Sequence, residues 1–241
     1  MLYNFLYLFL LFIIYSMIGY IIEVITVSIC MKKITFSRGF LIGPYIPIYG
    51  IGIISIVRLL SKYQNDILVL FIMSTIICTI IEYLTSFLME KLFKLRWWDY
   101  SDKNFNINGR VCLTNSVLFG FGGIIIMKIV NPFIESIILK LSQWLIIVLS
   151  TIFLLGFLID VIISIIAILN IKIDIKKYTK KDATEAIKKE VREALKRHRF
   201  TTERLFAAFP NVTQRKNINF MDYKELVLKI KEEYKKLKNK Y

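Results

Sequence analysis

The chain has 241 residues, of which 56% are hydrophobic and 21% are charged, with a mean hydropathy of +0.58 and a formal net charge of +15. Its apolar residues come in blocks of about twenty or more with few charges, which excludes an ordinary soluble domain and predicts that most of the chain lies in lipid. The only histidine is His198, and the three cysteines, Cys30, Cys78 and Cys112, are far apart in the sequence. This pattern argues against a zinc site, a disulfide framework or histidine-based catalysis, so we expect no metal, no cofactor and no enzymatic activity.

Five apolar segments are long enough to cross a hydrocarbon core of about 30 Å. They predict an all-α, polytopic membrane protein with about five transmembrane helices. In chain order the predicted spans are Leu2–Ile29, Gly39–Leu60, Ile67–Leu92, Val111–Val130 and Leu141–Leu169. The first segment lacks a basic leader and a small-residue cleavage site, so we interpret it as a retained span and not as a signal peptide.

Basic residues are distributed unevenly between the two sides of the predicted membrane domain. The connections after the first and third spans are richer in Lys and Arg than the other connections, and residues 171–241 hold 21 Lys and Arg against 10 Asp and Glu. Basic residues stay preferentially in the cytoplasm, which predicts an external N-terminus and a cytoplasmic C-terminus. The chain is therefore expected to divide into a transmembrane domain, 1–170, and a basic cytoplasmic helical tail, 171–241.

The second predicted span begins with helix-breaking residues, in the stretch SRGFLIGPYIPIYGIG. Arg38 marks the expected cytoplasmic boundary, and Gly43, Pro44, Tyr45 and Pro47 follow it. Proline removes a backbone donor, and backbone left unpaired in lipid is costly, so a broken segment must be buried in protein or line a watery cavity. Close helix packing through the glycines explains the pattern equally well.

Three acidic residues lie inside predicted spans: Glu23, Glu82 and Asp160. Each precedes the next cytoplasmic basic residue by a similar number of positions, which places all three at similar depth on different helices. Because ionisable residues inside a membrane are costly and usually functional, we predict a substrate-binding or ion-binding site there, shared with Arg38 and the broken segment. The alternative is that the three acids are polar contacts that only hold the helices together.

The connection between the third and fourth spans is rich in polar and aromatic residues. Its tryptophans suit a membrane interface, and Asn108-Gly109 is a turn signal. We expect Asp99 and Arg110 to pair across the loop and to clamp it beneath the helices. The candidate residues of this cytoplasmic loop are Trp97, Trp98, Asp99, Tyr100, Asn108, Gly109 and Arg110.

The tail contains signals for three amphipathic helices. Asp182 opens a capping-box-like start of a helix through His198, a second covers about Thr202 to Phe209, and Asp222 begins a third. We expect these helices to pack on one another or to bind a partner, with anionic lipid as a further surface. High positive charge alone permits nucleic-acid binding, but no recognised nucleic-acid module supports it.

Residues 5–125 resemble, in collinear order, the bacterial family described as "Putative ABC-transporter type IV", or CmpB-like. The resemblance implies a multispanning protein of the bacterial plasma membrane with a transport role, and it implies no particular substrate. Phe119-Gly120 departs mildly from the Trp-Gly of the family pattern. The motifs that carry the resemblance are Phe12-Ile-Ile-Tyr-Ser16 with Gly19 and Glu23, Arg38 to Gly50 (RGFLIGPYIPIYG), Glu82-Tyr-Leu-Thr85, Trp97-Trp-Asp-Tyr-Ser101 and Phe105-Asn-Ile-Asn-Gly-Arg-Val-Cys-Leu113.

These observations favour a transport-related membrane protein, permease-like, with a polar site that faces the cytoplasm. The chain has no GxxxxGK[ST] motif, so a transporter driven by ATP would need a separate ATPase subunit, docked on residues 96–110 or on the tail. The alternative is a membrane scaffold or sensor, without transport, whose basic tail recruits partners.

Overall fold

The computed structural model of the chain describes residues 1–32, 36, 39–93, 95–178, 204, 208 and 213–214. Within these residues the protein is mostly helical. The helices are α1 (Leu2–Met31), α2 (Pro47–Leu60), α3 (Ile67–Phe93), α4 (Leu113–Ile125), α5 (Asn131–Ile138) and α6 (Gln143–Tyr178). The described part also contains a short 3-10 turn, Ser61–Tyr63, and four two-residue strands: β1 (Leu95–Arg96), β2 (Asn106–Ile107), β3 (Val111–Cys112) and β4 (Thr213–Gln214).

Four helical segments of the described chain are long and apolar enough to cross a membrane, which confirms a membrane-type helical fold. They are Leu2–Ile29, Ile67–Phe93, Leu113–Ile138 and Gln143–Leu169. The large apolar side chains on the outside of these helices, such as Ile72, Phe121 and Ile152, are exposed, as expected for surfaces that face lipid.

The second predicted span, Gly39–Leu60, is helical only from Pro47 onward. Residues 39–46 form irregular backbone, and the 14 residues of α2 extend about 21 Å, less than a hydrocarbon core. Pro47 occupies the first turn of α2, where its missing N–H costs nothing and its fixed φ favours the helix. The sequence therefore located the break correctly and overestimated the length of the helix.

The fourth predicted span, Val111–Val130, ends earlier in the sequence than the apolar helical segment in the structure. Helical backbone continues from α4 through a π-helical turn, Ile126–Val130, into α5, so that the apolar segment ends at Ile138. Pro132 lies in the first turn of α5. Because the π turn before it changes the backbone hydrogen-bond pattern, the missing N–H of the proline does not interrupt the helix, and the span continues.

The interior is formed where α1 packs on α2 and α6, and where α3 packs on α4. Leu10, Leu11 and Tyr15 of α1 meet Ile53 of α2 in the main apolar cluster. Gly50 of α2 lies so close to α1 that a Cβ there would overlap Ser16 and Phe12. This close approach holds the start of α2, and with it the irregular segment 39–46, against α1.

Most of the predicted tail lies outside the described residues. The predicted helices that begin at Asp182 and Asp222 fall there entirely. Of the helix expected over Thr202 to Phe209, the structure describes Arg204 and Ala208, both with helical backbone. Thr213–Gln214, as β4, pairs antiparallel with β1.

Candidate functional site

Asp160 of α6 binds the irregular backbone of residues 39–46. Its carboxylate accepts hydrogen bonds from the amides of Ile42 (2.8 Å) and Gly43 (2.7 Å) and from the hydroxyl of Tyr45 (2.6 Å). Ser164, one turn along α6, donates a fourth bond of 3.0 Å. Four donors compensate the charge of a carboxylate that is 8% exposed, so Asp160 fixes the broken segment in place.

Further contacts hold this segment between α1 and α6. The amide of Ile46 donates to the carbonyl of Ser16 in α1 at 3.0 Å, and the ring of Tyr45 packs on Phe157 of α6 with centroids 5.8 Å apart. Pro44, directly before Tyr45 in the sequence, is exposed. Arg38, which the sequence places in the same site, lies outside the described residues.

Glu23 of α1 is positioned by α2. The hydroxyl of Tyr49 donates to Glu23 Oε2 at 3.1 Å, and the ring of Tyr49 fills the space left by Gly19, one turn before Glu23 on α1. Tyr49 also lies within electrostatic range of Glu82. Tyr49 therefore binds one of the acids that the sequence placed on separate helices and lies near a second.

Glu82 of α3 is the most isolated of the three acids. It is 6% exposed, its Oε1 accepts a bond of 3.2 Å from the hydroxyl of Tyr100, and Asn115 of α4 is a further polar neighbour. Its Oε2 has no hydrogen-bond partner of good geometry among the described residues. No cation pairs with Glu82 in the described part of the chain.

Tyr100 links the loop to the acids. Burial raises the pKa of Tyr100, and the neighbouring carboxylates of Glu82 and Glu23 raise it further. The phenol therefore stays protonated and serves as a hydrogen-bond donor to Glu82. Beside it, Thr79 of α3 donates to Ser116 of α4 at 2.8 Å, which continues the polar surface between α3 and α4.

The structure thus places the predicted residues in two groups. Glu23, Glu82 and Tyr100 gather around Tyr49, in what we call the glutamate cluster, which also includes Asn115. Asp160 lies with Gly43 and Tyr45 at the broken segment, and within the described residues no hydrogen bond joins it to the glutamate cluster. Nor do the described residues contain a group of three or more His, Cys, Asp and Glu side chains suited to a metal ion.

The expected pairing of Asp99 with Arg110 is wrong. Asp99 pairs with Arg96 at 3.0 Å, and Arg110 pairs with Glu90, near the end of α3, also at 3.0 Å. Asp99 is held in a local turn by the amide and hydroxyl of Ser101, which directs its carboxylate toward Arg96. Although partial burial opposes the shift, hydrogen bonds from Ser101 and Arg96 hold the pKa of Asp99 below its usual value.

Two buried arginines nevertheless clamp the loop beneath α3, through partners other than the predicted pair. Arg96 reaches Glu90 at 3.5 Å and the carbonyl of Asn108 at 2.6 Å. Arg110 adds Ser86 at 3.3 Å, and its carbonyl accepts a bond of 3.0 Å from the indole of Trp98. Glu90 is the shared anion of this clamp. It was not predicted as a site residue because it lies at the expected membrane boundary, where a charge is ordinary.

The loop also contacts the broken segment. Trp97 is 5% exposed, and its ring lies 5.7 Å from that of Phe40 and 6.3 Å from that of Phe93, centroid to centroid. Asn108 (φ 53°) and Gly109 (φ 64°) form the turn that joins β2 to β3, as Asn-Gly predicts. Trp97 therefore fixes the position of the loop relative to residues 39–46.

A family model described as "Putative ABC-transporter type IV" matches residues 10–165 of the chain. The match includes Glu23, Glu82 and Asp160, the broken segment and the whole of the loop. A search of curated proteins found no match. A search of solved structures found none either.

Proposed function

Because this chain belongs to the "Putative ABC-transporter type IV" family, we propose that it is the permease-like membrane subunit of a transporter, with the glutamate cluster as its polar site. The chain resides in the bacterial plasma membrane, with its N-terminus outside and its C-terminus in the cytoplasm, in accord with the distribution of basic residues. Residues 39–60 act as the fifth span. The irregular segment supplies the reach that α2 alone lacks, since an extended residue covers up to about 3.3–3.6 Å.

One observation supports the polar site above the others: Glu82 is buried without a cationic partner among the described residues, and the donors that face it there, Tyr100 and Asn115, are neutral. An ionised carboxylate in a membrane costs about 2.5–3.5 kcal/mol even on the lenient insertion scale. A bound proton or cation removes this cost. We therefore assign to Glu82 the reversible binding of a proton or a monovalent cation, with Glu23, Tyr49 and Tyr100 as its neighbours.

Asp160 has a different role in this proposal. Its four hydrogen bonds already compensate its charge, so it shapes the backbone of residues 39–46 and leaves the binding step to the glutamates. The predicted single site of three acids becomes one binding cluster and one structural anchor.

The energy source lies outside this chain, which has no phosphate-binding loop of the Walker type. An ATPase subunit would dock on residues 96–110 or on the tail. The Glu90 clamp supports this choice of surface, because a loop held by two buried arginines presents a rigid face to a partner.

The test of the binding assignment is chemical. Dicyclohexylcarbodiimide is an apolar reagent that modifies protonated carboxyl groups in apolar surroundings, so we expect it to label Glu82 in the purified protein, and increasingly as the pH falls. Glu82→Gln should abolish this labelling, and Glu135→Gln, a change at a half-buried acid of α5, should not. Absence of labelling at Glu82 throughout the pH range in which the protein stays folded contradicts the assignment.

The second candidate is a scaffold or sensor without transport, favoured by the fully hydrogen-bonded state of Asp160. In a scaffold, Glu82→Gln and Glu23→Gln leave partner binding and phenotype intact. In a permease, the same variants stay folded and lose flux.

A further inference from the structure

Three consecutive backbone carbonyls of the irregular segment face one guanidinium group. Arg204 of the tail donates through Nη2 to the carbonyl of Phe40 at 2.7 Å and through Nη1 to the carbonyls of Leu41 and, at 3.4 Å, Gly39. Gly39 has a φ of 79°, a conformation that favours glycine. The three carbonyls, which we call the carbonyl cradle, lack the helical partners that they would have in a regular span.

The carbonyl cradle lies next to a negatively charged side chain. Asp160 binds the amides of Ile42 and Gly43, the two residues that follow the cradle, and lies within electrostatic range of Arg204. The amides of the segment therefore face an anion and its carbonyls face a cation. Partial burial lowers the pKa of Arg204, and the charge of Asp160 opposes that shift, so the acid stabilises the half-buried cation.

The contacts of the guanidinium use only its terminal nitrogens. Nε of Arg204 makes no hydrogen bond to the described residues, so every contact with the cradle comes from the part of the group that all alkylguanidines share. The planar arrangement of two donor nitrogens fits several oxygen acceptors at once, which a compact ammonium group does not.

The tail meets the membrane domain at a second place. Thr213–Gln214 pairs with Leu95–Arg96, and Ala208, between the two contacts in sequence, is 4% exposed. Arg96 belongs to the Glu90 clamp. One stretch of the tail is therefore attached both to the broken segment and to the loop.

We propose that the carbonyl cradle and Asp160 form a guanidinium-binding site, and that Arg204 occupies it to anchor the tail on the membrane domain. The site lies at the Asp160 anchor and not at the glutamate cluster, so it stands independently of the proposed transport role. In this proposal the ligand of the broken segment is a monoalkylguanidinium group, which the chain itself supplies.

Hydrogen–deuterium exchange of the full-length protein tests the proposal. Arg204→Ala should speed exchange by about tenfold or more at the amides of residues 42–43 and of 95–96. The carbonyls of residues 39–41 lose their charged donor, which loosens the segment whose next amides Asp160 binds, and the second contact is no longer tethered. Arg58→Ala removes an exposed arginine of α2 and should change neither region. Arg204→Lys keeps the charge without the planar fork and should resemble Arg204→Ala; it replaces that variant if the alanine protein does not purify intact.

Methylguanidinium supplies the specific readout. Added to the Arg204 variant, it should restore slow exchange at residues 42–43 while 95–96 stays fast, because the free cation fills the cradle but does not tether β4. Methylammonium at the same concentration should not restore slow exchange at residues 42–43. Wild-type exchange in the Arg204 variant, or equal rescue by methylammonium, overturns the proposal.

Discussion

Replacement of Asp160 by asparagine tests how the broken segment is held. The carboxylate accepts four hydrogen bonds, whereas the single oxygen of an amide accepts about two, so two donors lose their acceptor. At about 1.5–3 kcal/mol for each bond to a charged group, the loss is about 3–6 kcal/mol. Removal of the buried charge returns about 2.5–3.5 kcal/mol. The midpoints of these two ranges give a net destabilisation of about 1.5 kcal/mol.

For a chain of this size that change lowers the midpoint of thermal unfolding by about 3–6 °C, which a thermal-shift assay in detergent measures. Ser164→Ala removes only one of the four donors and should cost less than Asp160→Asn. A variant Asp160→Asn as stable as the wild type, with unchanged amide exchange at Ile42 and Gly43, would refute the reasoning, because the segment would then not depend on the carboxylate.

Two further predictions concern the loop. Glu90→Gln leaves the buried Arg110 without an anion among the described residues and Arg96 with Asp99 alone, and should lower the free energy of unfolding by about 3–5 kcal/mol. Asp102→Asn, an exposed change in the same loop, should stay within about 0.5 kcal/mol of wild type in a thermal-shift assay. The lowered pKa of Asp99 means that its contribution to stability is complete above its unfolded pKa of about 4 and is lost as the pH falls through the lower, folded value. The loop should therefore open on acidification, which tryptophan fluorescence measures. Asp99→Asn should already show the acid-type fluorescence at neutral pH. A variant indistinguishable from wild type at every pH would contradict this assignment.

The helical membrane architecture was predictable because long apolar runs leave few alternatives in lipid. The break in the helix before Pro47 was equally predictable from the sequence, since Pro44 and Pro47 remove backbone hydrogen-bond donors and Gly39 permits a positive φ. The end of the helical segment at Ile138 was not predictable, because no sequence pattern indicates the π turn before Pro132.

The acids were found from sequence, but their grouping was not. Depth along a helix places Glu23, Glu82 and Asp160 at one level, whereas rotation about each helix axis decides which of them meet. Tyr49 binds Glu23 and lies near Glu82, and it was missed because an aromatic residue in a span is ordinary. The pairing of Asp99 with Arg110 failed because the turn at Ser101 directs the carboxylate to a nearer arginine.

The most direct test of the permease assignment is purification of the tagged native protein from its membrane in mild detergent, with identification and quantification of every protein that accompanies it. The account predicts a stoichiometric nucleotide-binding subunit, lost when the exposed face of residues 96–110 is altered and retained in Glu82→Gln. An intact, folded protein that emerges without any such subunit would contradict the permease assignment.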